Sequence, residues 1–395
     1  MLIITPQEKI DAYYADTDSE SQSRLKNLFK GIANYNQVED SNKSYFIIGS
    51  AVDTILTGEE GAFEKAYYVS TLESVPTDSI ARVIDTVFSI VKNKYEEYLL
   101  TIPVKWNGES EELLETPMPF AEFALPFTKW EPEILSACNE NSYQKNWKDE
   151  TRVSSILSKE EGYFELLVKA EGKTVVDAGT YNVIKGIVDS LKTNVRTAHI
   201  FDRVAFANSV DVDMYLQLPI YFTYRGKRCK ALLDIVIVVK DEKGNILTVH
   251  PIDLKTMSGN TLDFPNSIKA RRYDIQGAWY TLALQEYFKV PSDRIRNFCF
   301  VVESTTNIGN PLFFECTKSL LETGRNGRKP LYLSEITGEQ KTADTPVLVR
   351  EILGFEQLLD IVIYHDENGW DEEKILKETP HNKPLQVNWE GIVEH

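Results

Sequence analysis

The sequence predicts an α+β (α/β) protein with a central mixed sheet flanked by helices, and three observations carry that prediction. First, Tyr215–Tyr224 (YLQLPIYFTY), Cys229–Lys240 (CKALLDIVIVVK) and Ile246–Lys255 (ILTVHPIDLK) are β-rich runs. The connections RGK and Asp241–Asn245 are turn-like, so the three runs read as an antiparallel meander. Second, Ile268–Tyr287 (IKARRYDIQGAWYTLALQEY) has helical patterning, after which Phe298–Glu303 and Leu312–Cys316 return to strand and extend the sheet. Third, helical patterning recurs outside this block. It covers 146–197, where Ile184, Ile187, Val188 and Leu191 make an apolar stripe, and Glu351–Tyr364. Residues 102–130 are proline-rich without a clean period and read as an irregular crossing segment, and the acidic stretch Asp366–Glu378 reads as solvated surface.

At 395 residues the chain exceeds the ~100–200 typical of one domain, so it is one large domain with insertions or two domains. A hydrophobic fraction of 42 %, with 18 Phe, 19 Tyr and 6 Trp, excludes disorder for most of its length. No apolar stretch approaches the ~20 residues of a membrane span, and MLIITPQEKIDAYY lacks a basic region before its short apolar run, which argues against insertion and secretion. The four cysteines, at 138, 229, 299 and 316, have no zinc or iron–sulfur spacing and read as reduced thiols of a cytoplasmic protein. No repeat and no GxxxxGK[ST] motif occurs, so no ATP-driven motor is encoded.

The net charge of −17 opposes whole-surface attraction to nucleic acid. It is uneven, however. Residues 185–296 carry 17 basic and 12 acidic side chains, whereas 1–184 carry 17 and 31. Arg225, Lys227, Arg228 and Lys230 cluster in one place, and Lys269, Arg271 and Arg272 in another. Each cluster reads either as a solvated strand edge or helix start, or as a set of phosphate contacts.

Two acidic residues are misplaced in the meander, Asp234 in an apolar strand and Asp253 between Ile252 and Leu254. Strand period puts Asp253 and Lys255 on one face, and a turn centred on 242–244 brings Asp234 opposite 252 or 253. Two carboxylates in an apolar setting cost several kcal/mol, on the order set by burying unpaired charge, and repel each other, so the arrangement calls for a cation between them. Hard oxygen ligands select Mg²⁺ or Mn²⁺. A strand-end salt bridge between Asp253 and Lys255 gives the same local pattern.

The constellation D-x18-D-x-K resembles the core of the PD-(D/E)XK nuclease superfamily. Gln276-Gly-Ala-Trp-Tyr280 resembles the QxxxY motif of its RecB-like and lambda-exonuclease-like (RecE-like) phage recombination branch, and Tyr45–Gly58 (YFIIGSAVDTILTG) is similar to that branch's G-x-A-x-H helix. The match spans 45–58 and 210–316 in pieces. Asp53 stands where relatives carry His and reads as a metal ligand or as a capping or solvent-facing residue; Leu233 replaces the Pro of the name motif; Gln217 stands where many relatives carry Glu.

The resemblance implies a restriction-endonuclease-like core and a single nuclease domain over 1–395. Its core would be 45–58 and 185–316, with a helical or irregular insertion at 59–184 and an extension at 317–395. It implies catalytic roles for Asp234, Asp253, Lys255, Gln276 and Tyr280, and metal ligation by Asp234, Asp253, the Leu254 carbonyl and Asp53. Gln217 would orient water, and Arg225, Lys227, Arg228, Lys230, Lys269, Arg271 and Arg272 would contact DNA. The implied function is a Mg²⁺-dependent exonuclease of linear duplex DNA in the cytoplasm of a phage-infected or prophage-bearing bacterium. A single-strand annealing protein would be its partner and a homo-oligomer its assembly. A non-catalytic binding or assembly protein on a decayed core, and a structure-specific endonuclease, are the alternatives.

Overall fold

The computed structural model describes residues 1–37, 44–70, 72, 76–106, 111–113, 115–160, 162–329, 331–332, 347–349, 351–370, 386–388 and 391–393. Two compact units emerge: Met1–Glu60 together with Val183–His395, and Gly61–Asn182.

The first unit is built on six strands, β1 (Leu2–Ile4), β2 (Val212–Tyr224), β3 (Lys227–Lys240), β4 (Ile246–Met257), β5 (Cys299–Ser304) and β6 (Leu312–Glu315). They lie side by side in chain order. The sheet is mixed: β1 runs parallel to β2 and β4 to β5, while the β2–β3, β3–β4 and β5–β6 pairs are antiparallel. The β2–β3 turn places Arg225 and Gly226 both at positive φ (50° and 77°), the geometry that a two-residue hairpin matching strand twist demands. Tyr224 and Lys227 close it. β3 is the central strand and is buried along most of its length, as a strand covered on both faces should be.

The helices of this unit that shape the site are α1 (Gln7–Ala15), α2 (Gln22–Lys26), α3 (Ser44–Thr57), α4 (Phe264–Arg271), α5 (Tyr273–Phe288), α6 (Lys318–Asn326) and α7 (Phe355–Asn368). α5 packs on β2 and β3, sinking Trp279 fully into the core, where its indole N–H donates to the Lys230 carbonyl at 3.0 Å. Ile275, Phe298, Phe300, Phe355 and Leu359 complete the same apolar cluster.

Two helix expectations change. The stretch 268–287 is two helices, because Arg272 takes a left-handed conformation (φ 51°) and its guanidinium is held by the Asp274 carboxylate and the Leu353 carbonyl. The helix expected from Glu351 begins at Phe355, because Ile352 is extended and exchanges backbone hydrogen bonds with Arg328, and Gln357 caps the Gly354 N–H at 2.8 Å. Of the acidic stretch 366–378, residues 371–378 lie outside the described residues.

The second unit is mainly helical. Asp78–Leu100 buries Ile80, Val83, Ile84, Val87 and Val91, a stripe at helical spacing. These pack with Ile134, Ile156 and Phe164. Arg152 is buried there and donates to the Tyr143 carbonyl and the Asn139 side chain. A short parallel pair, Tyr67–Val69 with Thr174–Val176, also belongs to this unit. The irregular 102–130 segment contains two short antiparallel strands, Val104–Trp106 and Glu111–Leu113, and a helix, Phe120–Ala124. All four cysteines are free, and no helix among the described residues is long and apolar enough to cross a membrane.

Candidate active site

The site grows out of the β3–β4 hairpin. Ile235 pairs with Ile252, so antiparallel register brings Asp234 level with Asp253, and the Leu254 N–H donates to Asp234 Oδ2 at 2.8 Å. Two residues along β4, Lys255 forms an ion pair with Asp253 Oδ2. From α5, Gln276 donates to Asp253 Oδ1 at 2.7 Å. From β2, Gln217 donates to Thr57 at 2.8 Å and lies 3.5 Å from Asp234 Oδ1. Gln217 has a positive φ of 51° inside a strand, a strained backbone for a residue with a Cβ and one concentrated at functional positions.

α3 supplies Asp53. Its approach to β4 is close at Gly49, where a Cβ would stand 3.3 Å from the Thr256 hydroxyl. Burial pushes the Asp53 carboxyl well up, and the Asp234 charge adds to the effect. Asp234 itself is raised to about 7, by burial first and then by Asp253. Burial also raises Asp253, against the pull of Lys255 and the Gln276 hydrogen bond. Burial works against the Lys255 charge, yet Asp253, Tyr273 and Asp234 outweigh it and raise the ammonium. Three carboxylates therefore face one ammonium in a desolvated place, a charge excess that a divalent cation would neutralise.

Asp253 Oδ2 is the atom that fits such an ion best: it is buried, touches Lys255 as an ion pair, and has no directed hydrogen bond. Among the described residues, no three His, Cys, Asp or Glu side chains form a ready-made cage. The reason lies in the partners just named, since Asp253 is turned to Lys255 and Gln276 and Asp234 to the Leu254 amide. Tyr280 sits one helical turn beyond Gln276, buried edge-on to Phe298, with its phenol raised by burial and by charges that include Asp253 and Asp234.

Asp53, Leu254, Lys255 and Gln276 open onto a cleft of about 1160 Å³. Seven of its lining side chains are Lys or Arg and three are Asp, the reverse of the balance of the whole chain. Of the sequence-predicted basic residues, Lys230, Arg271 and Arg272 line it. Lys230 is buried and donates to the Tyr13 and Asp16 carbonyls, and Arg272 is held by Asp274. Arg225 pairs with Glu356 and Asp360, Lys227 with Asp366, and Arg228 with Asp16 at 3.7 Å, while Lys269 is exposed on α4; none of these four lines the cleft.

The rest of the positive charge comes from Arg24, Lys26 and Lys30, which sequence reasoning missed. Their signal was the short run RLKNLFK, submerged in the acidic N-terminal half. The same wall carries Tyr35, whose ring stacks on Trp370 (4.6 Å, 7°) and lies 4.5 Å from the Arg24 guanidinium. Tyr35 also donates a 2.5 Å hydrogen bond to the buried Glu20 carboxylate.

The fold and site thus define a mixed α+β protein with a carboxylate and lysine cluster opening onto a basic cleft. No protein-family model matches the chain, and no curated protein matches it. Among solved structures, it is similar over 97 % of both chains to a "putative exonuclease" from Eubacterium rectale, at 12 % identity and a TM-score of 0.42. Over 75 % of this chain and 59 % of the other, it is similar to protein VC1899 from Vibrio cholerae, at 10 % identity and a TM-score of 0.18.

Proposed function

We propose that the protein is a Mg²⁺-dependent (or Mn²⁺-dependent) DNA exonuclease of the PD-(D/E)XK kind, hydrolysing phosphodiester bonds of linear duplex DNA. The observation that carries this reading is the meeting of Asp53, Asp234, Asp253 and Lys255, of which Asp53 and Lys255 line a cleft that is basic in an acidic protein. Asp53, Asp234, Asp253 and the Leu254 carbonyl would hold the ion, which supplies charge neutralisation at the scissile phosphate and acidifies an attacking water.

Lys255 sits where an ammonium can stabilise charge developing on the phosphate, and its raised pKa keeps it protonated for that purpose. Gln276 holds Asp253 in place and Gln217 holds Asp234. Arg24, Lys26, Lys30 and Arg271 neutralise flanking phosphates without reading bases. Recombination or repair in a phage-infected or prophage-bearing bacterium, with an annealing protein as partner, is the setting in keeping with this chemistry.

The test is incubation of the protein with end-labelled linear and closed circular duplexes, in Mg²⁺ and in EDTA. Mg²⁺-dependent shortening of the linear substrate alone is expected. Cutting of the circle as well would make the protein an endonuclease. Lys255→Ala should lose turnover by about 10² or more while still binding DNA. A second reading, a nucleic-acid-binding protein on a decayed core, is favoured by the Lys255 and Gln276 contacts that occupy Asp253; binding without any cleavage by the parent would establish it.

A further inference from the structure

The cleft contains more aromatic surface than phosphate contact alone requires. Phe29 lines it and is 44 % exposed, so its ring is open to a ligand in the cleft. The Arg272 guanidinium lies 5.0 Å from the centre of that ring. Its Nε and Nη2 are engaged by the Asp274 carboxylate, and Nη2 also by the Leu353 carbonyl, which fixes the plane of the guanidinium. It is a fixed, planar cation beside an exposed ring. Its left-handed backbone (φ 51°) is what directs it there, at the break between α4 and α5.

We infer that the Phe29–Arg272 pair is a stacking platform for an unpaired base, and that the strand entering the cleft is single, at a frayed or resected end. This rests on the nucleic-acid reading above and names the form of substrate it takes. An exposed aromatic beside a basic track suits a single strand, whose bases present free π-faces; in an intact duplex those faces are already stacked on their neighbours. Charge complementarity selects nucleic acid over an apolar peptide, since Arg24, Lys26, Lys30 and Arg271 line the same cleft. Stacking is tolerant of base identity, so the platform grips without selecting sequence.

The test measures affinity of the full chain for an end-labelled single-stranded oligothymidylate and for a blunt duplex, in EDTA, by fluorescence anisotropy at several salt concentrations. Phe29→Ala should weaken single-strand binding about tenfold, with an unchanged salt slope because no charge is lost, and should change duplex binding far less. Phe29→Trp should restore or exceed parental affinity. Phe29 is exposed, so both variants should fold as the parent does. Parental affinity of Phe29→Ala for the single strand, or equal losses on single strand and duplex, would overturn the platform. Failure of the hydrolase reading looks different: the parent binds the single strand with Phe29-dependent affinity yet cleaves nothing in Mg²⁺.

Discussion

Asp234 and Asp253 are neighbours across one hairpin, yet their charges have different consequences. Asp234 faces other acids and is raised to about 7 from an ordinary value of 3.8. A carboxyl raised on folding stabilises while protonated, so that contribution is complete below about pH 4 and is lost as pH climbs to about 7. Asp234→Asn removes this dependence. In calorimetry without metal, the parent should therefore lose melting temperature relative to Asp234→Asn between about pH 4 and 7. A constant difference across that range would mean the buried acid pair is absent. Burial raises Asp253 as well, but Asp253→Asn also breaks the ion pair with Lys255, so without metal it should be less stable at neutral pH than Asp234→Asn, by about 3 kcal/mol. The triad was legible because strand alternation fixes which side chains share a face. The twist of Gln217 was not, since a single left-handed residue leaves the apolar alternation of β2 undisturbed.

The elements around the site are fixed by close backbone approaches as much as by apolar burial. α5 and α6 meet at Gly324, where a Cβ would come within 2.1 Å of the Asp274 carbonyl oxygen. A clash with backbone cannot be relieved by a rotamer change, so Gly324→Ala must push α6 away from α5. It should cost about 1–3 kcal/mol in a denaturant titration and disturb the Asp274 hold on Arg272. An unchanged midpoint would show that the two helices part easily. The meander and the β5–β6 pair were readable because each is a run of β-branched and apolar residues ended by turn chemistry. The division of 268–287 was not readable, because no Gly or Pro marks a break at Arg272; its hold on the distant Leu353 carbonyl leaves no local signal.

On the scale of the whole molecule, an acidic chain lines this cleft with more Lys and Arg than Asp, which should draw polyanions there. Arg271 lines it, while Arg225 spends its charge on Glu356 and Asp360. Arg271→Ala should thus lower the slope of log affinity against log salt for single-stranded DNA by roughly one, and Arg225→Ala should leave it unchanged. Equal slopes for the two variants would place the DNA elsewhere. Of the two basic clusters legible in the sequence, Lys230, Arg271 and Arg272 line the cleft while Arg225 and Lys227 turn to acidic partners on α7, because ion pairs made across more than a hundred residues leave no local trace.

The Tyr35–Trp370 stack gives the cleft wall an optical voice. Trp370 is tied to α7 through Asp366, which accepts from its indole N–H at 2.6 Å, while Tyr35 belongs to the N-terminal segment. Any ligand that shifts that segment must slide one ring over the other. Quenching between the two rings then changes, and with five tryptophans replaced by phenylalanine the remaining emission would follow cleft occupancy in real time without a label.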